Sequence, residues 1–253
     1  MANNKETGHA KNLANFEREV LLALEAKKNY NPFKSILFTD ELQAKLQRCK
    51  TANDALKAAE PLFIKAQKDR KDLYGKLQST MLRFTAIIKI IDTTESMKES
   101  LHSIINKIKG RRVSNRIKDT EMKEGEEKVN QISAAQTGFD NRLENFDKFI
   151  QRLATIPSYK PNEREHTIEG LLELKQQILQ ANNNVSQTYA ALTNARIARN
   201  QEFYAPTDGL VTIGNEVKAY MLSVYGRNSQ NYKQFAAIKF TKPAGNFSNV
   251  IAH

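Results

Sequence analysis

Tryptophan is absent from this chain of 253 residues, cysteine occurs once, and proline and glycine are scarce at 6 and 10 residues. A single thiol, Cys49, can form neither an intramolecular disulfide nor a cysteine-rich metal site. A β-rich fold of this length needs many tight turns, and turns consume glycine and proline. The four histidines, His9, His102, His166 and His253, are far apart, and none stands three or four residues from another. That spacing is what metal binding on one helix face requires. No glycine-rich phosphate loop opens a helix. No apolar run approaches the ~18 residues of a membrane span. The densest stretch, Phe84 to Ile91, is interrupted by Thr85 and Lys89. The N-terminus carries no apolar signal-peptide core. These absences lead us to expect a soluble, cytoplasmic, non-enzymatic protein with no membrane span, no cofactor, no metal and no catalytic residues.

What is present is helical. Leu13, Phe16, Val20, Ala23 and Leu24 form one apolar stripe at 3- and 4-residue spacing, which predicts a helix over 11–29. Asn29, Asn31 and Pro32 break it. Leu42, Cys49, Leu56, Phe63 and Arg70 then recur every seven residues, with Ala52, Ala59, Ala66 and Leu73 as a companion row. Pro61 is expected to kink or end this helix. Further stripes are Leu77 to Ile91 and Met97 to Ile108, the latter stopping near Gly110. Past the polar stretch 113–128, Val129, Ile132, Phe139, Leu143, Phe146, Ile150 and Leu153 resume a heptad up to Pro157 and Pro161, either as one long helix or as two pieces broken at Gly138. Leu171, Ile178, Val185, Leu192 and Arg199 make another heptad row. Leu210 to Val224 and Tyr232 to Ile238 supply two last helices, separated by Gly226-Arg227-Asn228-Ser229.

The two halves of the chain align at a shift of 129–130 residues. Asn15-Phe16 falls on Asn145-Phe146, Tyr30-Asn31-Pro32 on Tyr159-Lys160-Pro161, Leu42 on Leu171, Asn53 on Asn182 and Arg70 on Arg199. Lys89 meets Lys218, and Ile108-Lys109 meets Ile238-Lys239. Identity is low, and generic heptads produce some of it; the recurring order of breaks argues for an internal duplication. The expected fold is therefore all-α, an elongated helical bundle of two similar halves sharing one core. The organisation reads as a flexible N-terminus (1–10), a first half (11–112), a polar linker or helix extension (113–138), a second half (139–242) and a C-terminal tail (243–253).

Cys49 sits on an apolar heptad position and reads as a small core residue rather than a reactive thiolate. The acidic run Glu121 to Glu127 reads as a charged linker or helix face. Arg70 and Arg199 occupy positions that are otherwise apolar. They read either as snorkelling side chains with packed stems or as buried structural partners of a carboxylate. Asn53 and Asn182 beside the seam can specify helix register by hydrogen bonding.

Net charge is +11 and unevenly spread. Lys107, Lys109, Arg111, Arg112, Arg116 and Lys118 form a run without an acid. From Val217 onward stand Lys218, Arg227, Lys233, Lys239 and Lys242, again without an acid, interleaved with tyrosine and phenylalanine. These eleven residues are the candidate polyanion-binding set, since cations with aromatics can hold phosphates and stack on bases. The blander reading is a solvated basic surface. A helical chain with no catalytic constellation works through its surface. The expected function is that of a structural or protein-interaction component, self-associating or joined to a protein partner within a larger assembly. The alternative is nucleic-acid or polyanion binding by the basic ends.

Overall fold

The computed structural model describes residues 5–110 and 134–241, with side chains over 8–110 and 138–241. Among these residues there are seven α-helices, three single 3-10 turns and no strand. The helices are α1 (Lys5–Glu25), α2 (Thr39–Ile90), α3 (Glu95–Ile108), α4 (Ala134–Ala154), α5 (Ile168–Tyr204), α6 (Leu210–Tyr225) and α7 (Gln230–Ala236). The fold is all-α, and no helix among the described residues is long and apolar enough to cross a membrane.

Pro61 does not end the second helix. α2 runs through it for 52 residues, so the heptad before Pro61 and the stripe from Leu77 to Ile88 lie on one element. Pro61 is exposed, as is Lys57, the residue whose carbonyl a proline at this position denies its helical donor. The second half differs. α5 stops at Tyr204, because Pro206 and Gly209 follow within five residues, while the matching positions 76–79 hold neither residue. Thr94 caps α3 by accepting from the Met97 amide at 3.3 Å, and Ser229 caps α7 by accepting from the Asn231 amide at 3.2 Å. The stop after α3 falls where expected: Gly110 has φ +66°, a left-handed value that costs glycine little.

The chain folds into two compact units rather than around a single core. One contains residues up to 63 together with those from 188 onward. Its core joins Phe16 and Val20 of α1, Leu42 and Cys49 of α2, Phe203 of α5, Val211 and Val217 of α6 and Phe235 of α7. The other comprises residues 64–187. Its core joins Leu77, Met81 and Ile88 of α2, Leu101 and Ile105 of α3, Phe146 and Phe149 of α4, and Leu171 and Ile178 of α5. Phe84 lies at its centre, edge-on to Phe149 with ring centroids 5.0 Å apart. Each fully buried side chain of this size contributes about 1.5–3 kcal/mol.

Local features recur at the expected spacing. α1 ends at Glu25 and α4 at Ala154; the 3-10 turns Ser35–Leu37 and Arg164–His166 follow; α2 starts at Thr39 and α5 at Ile168. In the first connection the Tyr30 hydroxyl donates to the Leu37 carbonyl at 2.7 Å. In the second, the Tyr159 hydroxyl donates to the His166 carbonyl at 2.5 Å.

Candidate functional site

α1 turns a mixed face toward the core of the first unit. Phe16, Val20 and Ala23 are buried, as the stripe predicts, but Asn12 and Glu19 are buried with them at 0 % exposure. Glu19 follows Phe16 by three residues, so helical geometry forces it onto the same side. Both carboxyl oxygens are buried without a hydrogen-bond partner. One rests against Gly214 of α6, where an added Cβ would lie only 2.7 Å away. Burial pushes the Glu19 carboxyl up to about 9, and the Lys218 ammonium opposes this only in part. Burial therefore favours the protonated form of Glu19.

Lys218 of α6 is half-buried. Its ammonium donates to the Ile238 carbonyl at 3.1 Å and stands 4.7 Å from the centroid of the Phe240 ring. Burial lowers its pKa, and the nearby Glu19 works against that shift. Tyr30 closes another side of this cluster. Its hydroxyl is held above the ordinary phenol range by burial first, then by Glu19 and Tyr220. Tyr30 meets the Tyr220 ring edge-on at 5.5 Å, and the Tyr220 hydroxyl accepts from the Asn31 amide at 2.9 Å.

Beside this cluster is an apolar groove lined by Pro32, Phe33, Leu37, Ala219 and Tyr220, with Lys34 and Glu216 paired at 2.7 Å on its edge. Phe33 projects from it at 96 % exposure.

The candidate polyanion-binding residues are scattered. Lys107 is exposed on the last turn of α3, and Lys109 just beyond it is half-buried. Lys107 lines a shallow pocket with Gly110, Phe139 and Arg142. Arg227, Lys233 and Lys239 are exposed, whereas Lys218 is partly spent on the fold. Arg111, Arg112, Arg116, Lys118 and Lys242, and the acidic run Glu121 to Glu127, lie outside the described residues.

The four polar heptad residues have separate surroundings. Arg199 is buried at 5 % exposure and does not snorkel; its guanidinium donates to Asn200 Oδ1 at 3.1 Å. Arg70 is half-buried with its guanidinium 4.3 Å from the Phe139 ring centroid, and its Nε has no hydrogen-bond partner. Asn182 donates to the Tyr74 hydroxyl at 3.2 Å, and Asn53 is buried. Cys49 is fully buried, its thiol pushed up to about 12 by burial, which leaves it without thiolate character at neutral pH.

Glu19, Asn12 and Lys45 escaped the sequence reading. Lys45 is 2 % exposed and pairs with Glu202 at 2.6 Å. For Glu19 a signal was available: the residue 130 positions later is Phe149, a core side chain, so the first half carries an acid where the second carries an aromatic ring. Among the described residues no group of three His, Cys, Asp or Glu side chains is placed to hold a metal. No family model matches this chain, and neither the curated proteins nor the solved structures contain a match to it.

Proposed function

We propose that this chain is a non-enzymatic interaction protein that associates with a second copy of itself through the Phe33 face. The observation that carries the reading is Phe33, 96 % exposed beside an apolar groove on the same unit. Exposed apolar surface of this kind marks an association site. A two-fold contact requires a self-complementary face, on which residue i meets j and j meets i. Here a protruding ring and a receiving groove stand side by side. The Lys34–Glu216 pair at its edge supplies opposite charges that can re-pair across the axis. The ring belongs to the first half alone, since Asn162 stands at the matching place in the second.

Light scattering combined with the 260/280 nm absorbance ratio tests this. The wild-type chain should be a dimer free of nucleic acid, and Phe33→Glu should be a monomer with unchanged helix content. A monomeric wild type, or a variant that dimerises equally well, overturns the proposal. A high absorbance ratio would instead favour polyanion binding, which the exposed Lys107, Arg227, Lys233 and Lys239 support. With no tryptophan, the chain absorbs weakly enough at 280 nm for bound nucleic acid to stand out.

The repeated spacings support a further part of the reading: the chain arose by internal duplication, and each compact unit combines elements of both copies. Buried pairs at the shift include Phe16/Phe146, Val20/Ile150, Leu42/Leu171, Cys49/Ile178 and Ile108/Ile238. The Tyr74 hydroxyl bonds the Phe139 carbonyl at 2.8 Å, and the Tyr204 hydroxyl pairs with His9, 130 positions before Phe139, at 2.6 Å. Equivalent tyrosines should have equivalent energetics. Tyr30→Phe and Tyr159→Phe each leave a carbonyl without its donor, so each should cost about 1 kcal/mol in urea unfolding. Costs that differ by much more than that would count against equivalence.

A further inference from the structure

The segment after α7 crosses α1 and α6 in the first unit, and the fold binds it largely through its backbone. Asn12 of α1 donates from Nδ2 to the Thr241 carbonyl at 2.7 Å and accepts from the Thr241 amide at its Oδ1 at 3.0 Å. One side-chain amide thus satisfies both backbone groups of a single residue, as a neighbouring strand would. One turn along α1, Asn15 donates to the Lys239 carbonyl at 2.8 Å. From α6, Lys218 donates to the Ile238 carbonyl at 3.1 Å. None of these bonds depends on which side chains the segment carries.

Side-chain selection falls between them. Lys239 and Thr241 are exposed while Phe240 is half-buried, the alternation of an extended chain. The Phe240 ring is 6.5 Å from that of Phe16 and lies against Gly214, where an added Cβ would come within 2.3 Å of it. Gly214 is therefore the floor of an aromatic pocket, with Lys218 over the ring. Glu19 rests on the same glycine and stays buried beneath.

We infer that the α1/α6 groove is a binding site for an extended peptide carrying phenylalanine, and that residues 238–241 occupy it in cis. Asn15 and Asn12, directed at the backbone of residues 239 and 241, with an aromatic pocket for residue 240 between them, form a general peptide-reading arrangement rather than contacts peculiar to one tail. The site is distinct from the Phe33 groove and does not rest on it. A tethered segment competes at a high effective concentration, so a peptide added in trans meets only the small fraction of chains whose groove is open.

The test uses the full chain and a fluorescein-labelled hexapeptide with the sequence of Ala236 to Thr241. Two variants loosen the tethered segment by different means. Phe240→Ala empties the pocket, and Thr241→Pro removes the amide that Asn12 accepts from. Both should bind the peptide at least about tenfold more tightly than wild type by fluorescence anisotropy. Binding should disappear when the peptide carries alanine in place of phenylalanine, and when Asn12→Ala is added to Phe240→Ala. In the wild-type chain, millimolar peptide should speed hydrogen exchange at the Thr241 amide, a measurement that requires no variant to fold. Unchanged exchange at Thr241 overturns the inference. So does failure of both folded variants to bind, or equal binding of the alanine peptide; the segment would then be an ordinary tertiary contact.

Discussion

A chain ending at residue 120 should fail to melt cooperatively, and so should one beginning there. The expectation follows from how the cores are assembled. The first unit draws on residues up to 63 and on residues from 188 onward, so a cut at 120 removes one part of it from the other. Phe16, Val20, Leu42 and Cys49 would lose Phe203, Val211, Val217 and Phe235. The second unit is divided as well, because Leu77, Phe84 and Leu101 would lose Phe146, Phe149, Leu171 and Ile178. Losing about 1.5–3 kcal/mol for each exposed side chain exhausts a stability of about 5–15 kcal/mol after a few residues. Either fragment should show a broad, non-cooperative thermal transition by circular dichroism, or self-association by light scattering. Mixing the two should restore a sharp transition, since together they hold every partner. A fragment that melts sharply as a monomer would mean that one half folds alone.

Glu19→Gln should flatten the dependence of stability on pH. In the folded chain the carboxyl is raised to about 9 against an ordinary value of 4.5. The folded state therefore retains a proton that the unfolded state releases between those values. The favourable contribution is complete below the unfolded value and is lost as pH rises through the folded one. Wild-type stability should fall across this window by up to about 1.4 kcal/mol per pH unit from this group. Lys218 acts with the opposite sign, in a window that ends at its ordinary value of 10.5. Its folded pKa is lowered, so above that value the unfolded state binds the additional proton and stability rises with pH. Glutamine cannot ionise, and its amide meets the same partnerless pocket as the protonated carboxyl. The variant should thus be close to wild type in stability near pH 4 and more stable near pH 8, with the two curves diverging as pH rises. Urea unfolding at several pH values measures this. Parallel curves would show that Glu19 does not hold its proton in the folded chain.

The helices of this fold are legible in the sequence. Pro32, Pro157, Pro161, Gly110 and Gly226 mark breaks that the structure contains, and the heptad residues Leu42, Cys49, Leu171, Ile178 and Leu192 are all buried. Pro61, expected to kink or end its helix, does not end it. A proline on an exposed helix face loses its bond to a carbonyl that water can still reach, and the apolar stripe on the opposite face holds the helix together across it. The candidate sites were less legible. Phe33 belongs to no stripe, so periodicity left its side chain unassigned. Asn12 and Glu19 look like ordinary polar residues of a surface helix.

Local sequence determined where this chain is helical, where each helix stops and which side of it is apolar, because those properties depend on dihedral preferences and on a 3.6-residue period within one segment. The tertiary structure alone decided which apolar sides meet. It divided the buried residues between two units, each drawing on both halves of the chain. It also laid residues 238–241 over α1, more than 220 residues away in sequence, and in doing so engaged Asn12 and Asn15, while Glu19 of the same helix is buried. A polar side chain's burial, partners and protonation depend on what lies across from it, and no period within its own helix encodes that neighbour.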